Sequence, residues 1–273
     1  ICGNCSFIAL RVNDSFVVDS NAFAAAVYYA TNMRVGLIQQ ALGGVNGGYF
    51  VRNALNYAYD HNIVVIGTAA DENSFHHNYP STYDPVIYTN SIRHDTRDYR
   101  DASTFTNFNN CSNYGARVDV STAGYSCSSE ATGNLSGIAG LAASYAKSLG
   151  KDLTAGELVS LIKTSADDLA FTASAERHAT WSGWDTMSGY GRSNAYTMLS
   201  RIKDGKIPPE ARIVSPGWFE FFNATSQRAV PVEIRVEPPR SGVAKITLEA
   251  TRGVETSGAT WRTLKEQTVM TLE

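Results

Sequence analysis

The groups in this 273-residue chain that could do chemistry are four cysteines, five histidines and one glycine-rich turn. Cys2 and Cys5 form a Cys-x-x-Cys; Cys111 and Cys127 stand further on. A structural zinc site takes four ligands, and no second Cys-x-x-Cys completes one. A redox pair belongs at a helix N-terminus after a strand, whereas this pair precedes a strand-like run, Phe7 to Val12. The expectation is two structural disulfides, Cys2–Cys5 and Cys111–Cys127, with Cys2 reaching a segment outside this sequence as the alternative. Structural disulfides imply an oxidising setting: extracellular, cell-surface or periplasmic. His61 should close a helix near the negative end of its dipole, and His76-His77 falls in a polar loop. The Gly43-Gly-Val-Asn-Gly-Gly48 stretch follows a strand-like run and precedes a helical one, as a phosphate-binding turn does. It lacks both the Gly-x-Gly-x-x-Gly order and a P-loop lysine, so no cofactor is expected.

The elements that must position these groups alternate between strand and helix over the first two-thirds of the chain. Strands are expected at Val35–Leu42, Ile63–Ala69, Pro85–Ile92 and Ala116–Val120, besides Phe7–Val12. Helices are expected at Asn21–Thr31, Tyr49–His61 and Ala139–Leu149. Another should start at Thr154, where Thr154-Ala-Gly-Glu157 has capping-box spacing, and a last one should span Ser193–Arg201. Continuous apolar strands separated by helices describe a doubly wound, mostly parallel sheet covered on both faces. At Lys206-Ile-Pro-Pro209 the pattern changes to period two, in Pro231–Val236 and Ala244–Ala250. The expected domains are an α/β domain at 1–205 and a small β-sandwich-like domain at 206–273. With no initiator Met and a strand-like run at Glu273, both ends read as cut. Net charge is −3 with no basic stripe, which argues against nucleic acid as a partner. The longest apolar stretch, Phe23 to Ala30, is too short to span a bilayer.

Several segments, in order, resemble the subtilase family of serine peptidases. Leu37-Ile-Gln-Gln-Ala-Leu-Gly-Gly44 is similar to its strand ending in Ser-Leu-Gly-Gly. Ala54-Leu-Asn-Tyr-Ala-Tyr-Asp-His-Asn-Ile-Val-Val-Ile-Gly-Thr-Ala-Ala70 resembles the helix and strand leading to its Ala-Gly-Asn, and Tyr79-Pro80 follows. Thr106-Asn-Phe and Ser112-Asn-Tyr-Gly115 are similar to its Phe-Ser-Asn-Tyr-Gly strand. Glu130 to Leu141 resembles its nucleophile helix, and Gly189-Tyr-Gly-Arg-Ser-Asn-Ala195 its closing Gly-Tyr-Gly-x-Val-Asn-Ala.

The resemblance implies a Ser nucleophile, a His base, an Asp that orients the base and an Asn in the oxyanion hole. The family's Asp and His motifs precede the segment matched at Cys2, and none of His61, His76, His77, His94 or His178 lies in a His-Gly-Thr-His. Setting Ile138-Ala-Gly140 on the end of the family's Gly-Thr-Ser-x-Ala-x-Pro-His-Val-Ala-Gly places Thr132 at the Ser position. The plainer reading of Thr132 is a helix N-cap. The oxyanion position falls on Asp71, a carboxylate in place of an amide donor, with Asn73 as an alternative donor. Peptide binding in the family uses a backbone strand, here Ala41, Leu42, Gly43 and Gly44 with Ala69 and Ala70. No Asp-rich calcium spacing is visible, so no metal site is named.

These readings imply a catalytically degenerate subtilase domain that binds a peptide or protein ligand or serves assembly. The alternative is an active endopeptidase whose Asp and His come from another segment, with Thr132 as nucleophile. The family's Asp-bearing strand lies between the counterparts of Phe7–Val12 and Val35–Leu42. A further segment or chain is therefore expected to fill that gap.

Overall fold

The computed structural model describes residues 2–14, 19–94, 105–115, 117–172, 179–217, 220–223, 225–227, 229–253 and 261–271. His178 and Ala116 lie outside them. The first two-thirds runs α1 (Ser20–Asn32), β1 (Leu37–Gln40), α2 (Tyr49–Asp60), β2 (Val64–Thr68), β3 (Val86–His94), β4 (Phe105–Phe108), β5 (Val120–Ala123), α3 (Cys127–Ser148), α4 (Ala155–Thr164) and α5 (Ala195–Lys203). Strands β1, β2, β3 and β5 pair in parallel, and β4 adds antiparallel to the end of β3. The doubly wound α/β architecture is the one expected.

The cause is visible in β2. All five of its residues are buried, because successive side chains point to opposite faces and both faces are covered. Val64 and Ile66 pack with Leu135, Ala139, Leu161 and Ile202 of α3, α4 and α5. Val65 packs with Phe23, Val27 and Leu55 of α1 and α2. Full burial of a side chain such as Leu55 contributes about 2 kcal/mol. Local signals set the helix ends. Asp19 accepts from the N–H groups of Asn21 and Ala22 to start α1, and the Thr154–Glu157 capping box forms at α4. Asn194 caps α5 by accepting from Thr197 N–H.

Three expectations need correction. The Phe7–Val12 run is not a strand: it is irregular, with Phe7 86% and Ile8 52% exposed. Its composition is strand-like, but among the described residues no strand pairs with its backbone. The helical segments expected at Glu130–Leu141 and Ala139–Leu149 belong to one helix, α3, which starts earlier, at Cys127. Its Ser and Gly residues are weak helix formers, and buried packing of Ala131, Ala139, Ala142 and Ala146 overrides that weakness. The strand expected at Ala116–Val120 is instead β5, at Val120–Ala123.

After residue 205 the chain forms two antiparallel ladders. The first joins β6 (Ala211–Ser215) to β7 (Glu233–Val236), the second β8 (Val243–Ala250) to β9 (Arg262–Met270). The first ladder is anchored to the α/β layer. Ile207 enters the core, the Tyr59 hydroxyl donates to buried Glu210, and the Arg212 guanidinium lies 4.9 Å from the Tyr59 ring centre. Burial first, and the Glu210 carboxylate second, push the Tyr59 phenol well above its usual range.

Candidate active site

Parallel strands gather their following loops at one edge of the sheet, and ligands bind outside the carboxyl ends of such strands. Here β1 leads into Ala41–Gly44, β2 into Ala69–Ser74, and β5 into the N-terminus of α3.

The turn from β5 enters α3 at Cys127. Glu130 closes it, its Oε2 accepting the N–H groups of Tyr125 (2.9 Å) and Ser126 (2.7 Å). The first N–H groups of a helix have no carbonyl one turn back. Asp71 supplies an acceptor for one of them: its Oδ1 receives Ser128 N–H at 2.9 Å. The Ser128 hydroxyl is buried between Asp71 Oδ1, the Ala70 carbonyl at 3.0 Å and the Thr68 hydroxyl. Ser129, the next residue, is exposed on the first turn of the helix.

Thr132 lies one turn deeper. It is fully buried, and its hydroxyl donates to the Ser128 carbonyl at 2.7 Å. It is not the N-cap, which is Ser126. As a nucleophile candidate it is corrected for the same reason: a hydroxyl sealed inside the helix packing cannot meet a substrate carbonyl.

The loop after β2 is shaped by Asn113. Its Oδ1 accepts from Glu72 N–H (3.0 Å) and Ser74 N–H (3.1 Å), and its own N–H donates to the Ala70 carbonyl at 2.9 Å. Ala70 and Asn73 hold left-handed backbones, with φ of 70° and 50°. This curl presents the exposed Asp71 to α3. It is Asp71 and not Asn73 that meets Ser128. A carboxylate at a helix N-terminus complements the dipole, but when ionised it accepts hydrogen bonds and donates none.

Of the backbone groups expected to bind peptide, Gly44 is already paired with Tyr79, N–H to carbonyl in both directions at 2.8 and 2.9 Å. Ala69 is also taken: it is buried, its N–H donates to the Thr89 carbonyl, and its carbonyl accepts from the Tyr88 hydroxyl. The Ala70 carbonyl serves Asn113. Leu42 gives its carbonyl to Asn78 Nδ2 at 3.3 Å, and that amide also reaches the Thr68 carbonyl at 3.0 Å. Asn78 thus laces the ends of β1 and β2 together. Gly43 is required at this crossing, because a Cβ there would fall 1.7 Å from Asn78 Oδ1. Gly43 is itself a bridge residue, which leaves Ala41 as the group a peptide could pair with.

His61 follows α2 as its C-cap, its Nδ1 2.7 Å from the Tyr57 carbonyl, as expected for a helix end. His76 faces Glu72 at 3.9 Å and Asn113. Burial, with His76 and Arg117 nearby, pushes His77 below its usual value. Among the described residues no group of three or more His, Cys, Asp or Glu is arranged to hold a metal ion. Both expected disulfides are present: Cys2–Cys5, and Cys111–Cys127 with α-carbons 5.3 Å apart.

The sequence profile of the subtilase family matches residues 1–191. The chain belongs to the subtilase family. It is 29% identical over 206 residues to thermitase of Thermoactinomyces vulgaris, covering 70% of this chain and 64% of thermitase. It is 29% identical over 188 residues to a thermophilic serine proteinase of Bacillus sp. (strain AK1), covering 65% of this chain and 41% of the proteinase. The chain therefore matches less than two thirds of either relative's length. Among solved structures, the prenylagaramide maturation protease PagA superposes with a TM-score of 0.59 at 14% identity, over 71% of each chain. A lanthipeptide protease superposes with a TM-score of 0.55 at 19% identity, over 71% of this chain and 69% of that one. At such identities these two likenesses concern the fold.

With α3 starting at Cys127, the subtilase pattern can be set on Cys127-Ser-Ser-Glu-Ala-Thr-Gly-Asn-Leu-Ser-Gly137. Ser129, Ala131 and Gly137 then fall on its Ser, Ala and Gly. Gly133 and Asn134 replace its Pro and His, and Asn134 Nδ2 donates to the Ala123 carbonyl at 2.9 Å. Sequence alone places Thr132, not Ser129, on the family's Ser. The available signal was the Ser-x-Ala spacing, outweighed there by the match at Ile138–Gly140.

Proposed function

We propose that this chain carries the nucleophile side of a subtilisin-like peptidase site, with Ser129 as the nucleophile for peptide-bond hydrolysis. One observation carries the reading: Ser129 is exposed on the first turn of α3, at the carboxyl end of the sheet, next to the residue that meets Asp71. A hydroxyl there sits where helix N–H groups and the dipole favour the charge that develops on a substrate carbonyl. The orienting Asp and the His base come from a segment lying beside β1. Among the described residues β1 pairs only with β2, and Phe7 and Ile8 are exposed. An open edge of this kind accepts a further strand. A peptide ligand would pair with the backbone of Ala41. The two disulfides favour an oxidising, extracytoplasmic setting, and no helix among the described residues is long and apolar enough to cross a membrane. Residues 206–273 form a β-rich domain in this reading, its first ladder packed on the α/β layer.

Asp71 favours a second reading, a degenerate domain that binds peptide without cleaving it. Absence of the amide donor at an oxyanion hole raises the barrier by roughly 3–4 kcal/mol. The two readings separate in the full-length protein treated with a fluorophosphonate and tested on an unstructured protein substrate. Labelling of Ser129, and turnover abolished by Ser129→Ala, support the peptidase. Peptide binding without labelling supports the degenerate module. Turnover that survives Ser129→Ala would overturn the assignment of the nucleophile.

A further inference from the structure

We infer that the Cys111–Cys127 disulfide is a positioning element that holds the first turn of α3 against the Asp71 loop. This inference rests on the assignment of Ser129, two residues after Cys127.

Cys127 opens α3 with φ of 57°, in the left-handed region that favours glycine. In the frame that places Ser129 on the nucleophile, the family pattern has glycine at this position. A side chain with a Cβ is here held where the backbone disfavours it, and the bond to Cys111 holds it.

Cys111 belongs to a short turn, Asn109 to Asn113, that grips both halves of the site. On one side Asn109 Nδ2 donates to the Gly124 carbonyl at 2.8 Å, just before α3. On the other, Asn113 receives the N–H groups of Glu72 and Ser74 and so shapes the loop that carries Asp71. Between them Cys111 makes the covalent link to the first residue of the helix. Within the turn, Ser112 N–H donates to the Asn109 carbonyl at 2.9 Å. The turn is therefore a single clamp on the nucleophile's helix and the oxyanion-side loop. The disulfide is its attachment to the helix. Without it, the backbone of residue 127 can leave the left-handed region, and the Ser128 N–H swings away from Asp71.

Two double variants of the full-length protein separate the positioning role from general stabilisation. Cys111→Ser with Cys127→Ala removes the bond but keeps a Cβ at residue 127. Cys111→Ser with Cys127→Gly removes the bond and restores a residue at ease in that conformation. The readout is hydrogen exchange at the Ser128 amide, whose N–H donates to Asp71 at 2.9 Å, with Val65 and Ile66 of β2 as core controls. We expect the alanine variant to exchange about tenfold faster at Ser128, the factor matching the left-handed cost of a Cβ residue. The core amides should stay protected. The glycine variant should stay within about threefold of the native protein, well inside that penalty. Should the alanine variant not fold, a Cys2→Ser, Cys5→Ser protein reduced by an excess of dithiol gives the test at this bond alone, since Cys127 then keeps its Cβ without its bond. Unchanged Ser128 protection in the alanine variant or the reduced protein overturns the inference. So does a glycine variant as unprotected as the alanine one. Fluorophosphonate labelling of the native, oxidised protein is scored separately. No labelling there with the expected exchange pattern removes Ser129 as nucleophile and leaves the clamp intact.

Discussion

Replacing Asp71 by Asn isolates what the carboxylate does to the site. Asp71 Oδ1 accepts from Ser128 N–H and lies against the Ser128 hydroxyl, and an amide oxygen can take over both contacts. What changes is the other oxygen, which becomes an NH₂ group. If this edge faces the oxyanion, the variant gains one donor there. A single such donor is worth about 10²–10³ in kcat. The cost falls on stability. Charge-assisted hydrogen bonds become neutral ones, and a helix N-terminus loses a favourable charge. Asp71 is exposed, so solvent screening holds that loss to about 1 kcal/mol. The assay is turnover of an unstructured protein substrate, with the fluorophosphonate labelling rate beside it and a urea melt to measure the cost. We expect turnover and labelling to rise at least tenfold while the melt moves slightly toward lower urea. A variant that folds and shows equal or lower rates would refute the placement of Asp71 at the oxyanion.

Thr132→Ala should leave fluorophosphonate labelling unchanged and cost about 1 kcal/mol in a urea melt, from the lost bond to the Ser128 carbonyl, whereas Ser129→Ala should abolish labelling. Gly43→Ala should displace Asn78, since a Cβ meets its Oδ1 at 1.7 Å, and weaken peptide binding measured by calorimetry by about tenfold or more, as expected when a buried amide loses its partners. Burial pushes the Asp119 carboxyl up, but Lys163 at 2.8 Å and Arg117 at 3.8 Å outweigh it and hold the group below its usual range. A depressed carboxyl contributes stability that is present above its unfolded value, near ~3.9, and lost as pH falls below it. Asp119→Asn should therefore cost about 3–5 kcal/mol at pH 7 and shrink the difference between urea melts at pH 7 and pH 3; an undiminished difference would refute the pairing.

The parts of the fold legible in sequence were those whose burial leaves a local trace. Ile63–Ala69 reads as a continuous apolar run because β2 is covered on both faces, and Thr154–Glu157 reads as a cap because its partners are three residues apart. The period-two run Ala244–Ala250 became β8, whose burial alternates at every residue. Phe7–Val12 shows the converse. Its pattern suits a strand, yet a strand needs a neighbour for its backbone, and sequence does not say whether one is at hand. The disulfides were legible because few pairings of four cysteines exist. The pairing of Gly44 with Tyr79 was not, since it depends on where the Asn78–Tyr79 segment returns.

The two candidate positions for the nucleophile, Thr132 and Ser129, have a similar origin. The two frames of the subtilase pattern on α3 differ by three residues, about 300° of helical rotation, so both lay small residues along nearly the same buried face. Ala131, Ala139 and Ala142 are buried whichever frame is chosen, and apolar periodicity cannot separate them. Only the point where the helix begins can. That point is fixed partly by Glu130 reaching back to Tyr125 and Ser126, which sequence could have suggested. It is fixed equally by Asp71, from the loop after β2, and by Cys111, sixteen residues upstream. The peptidase reading needs an accessible hydroxyl beside helix N–H groups that lack an intrahelical acceptor. Ser129 meets that condition, and Thr132, its hydroxyl already spent on the Ser128 carbonyl, does not.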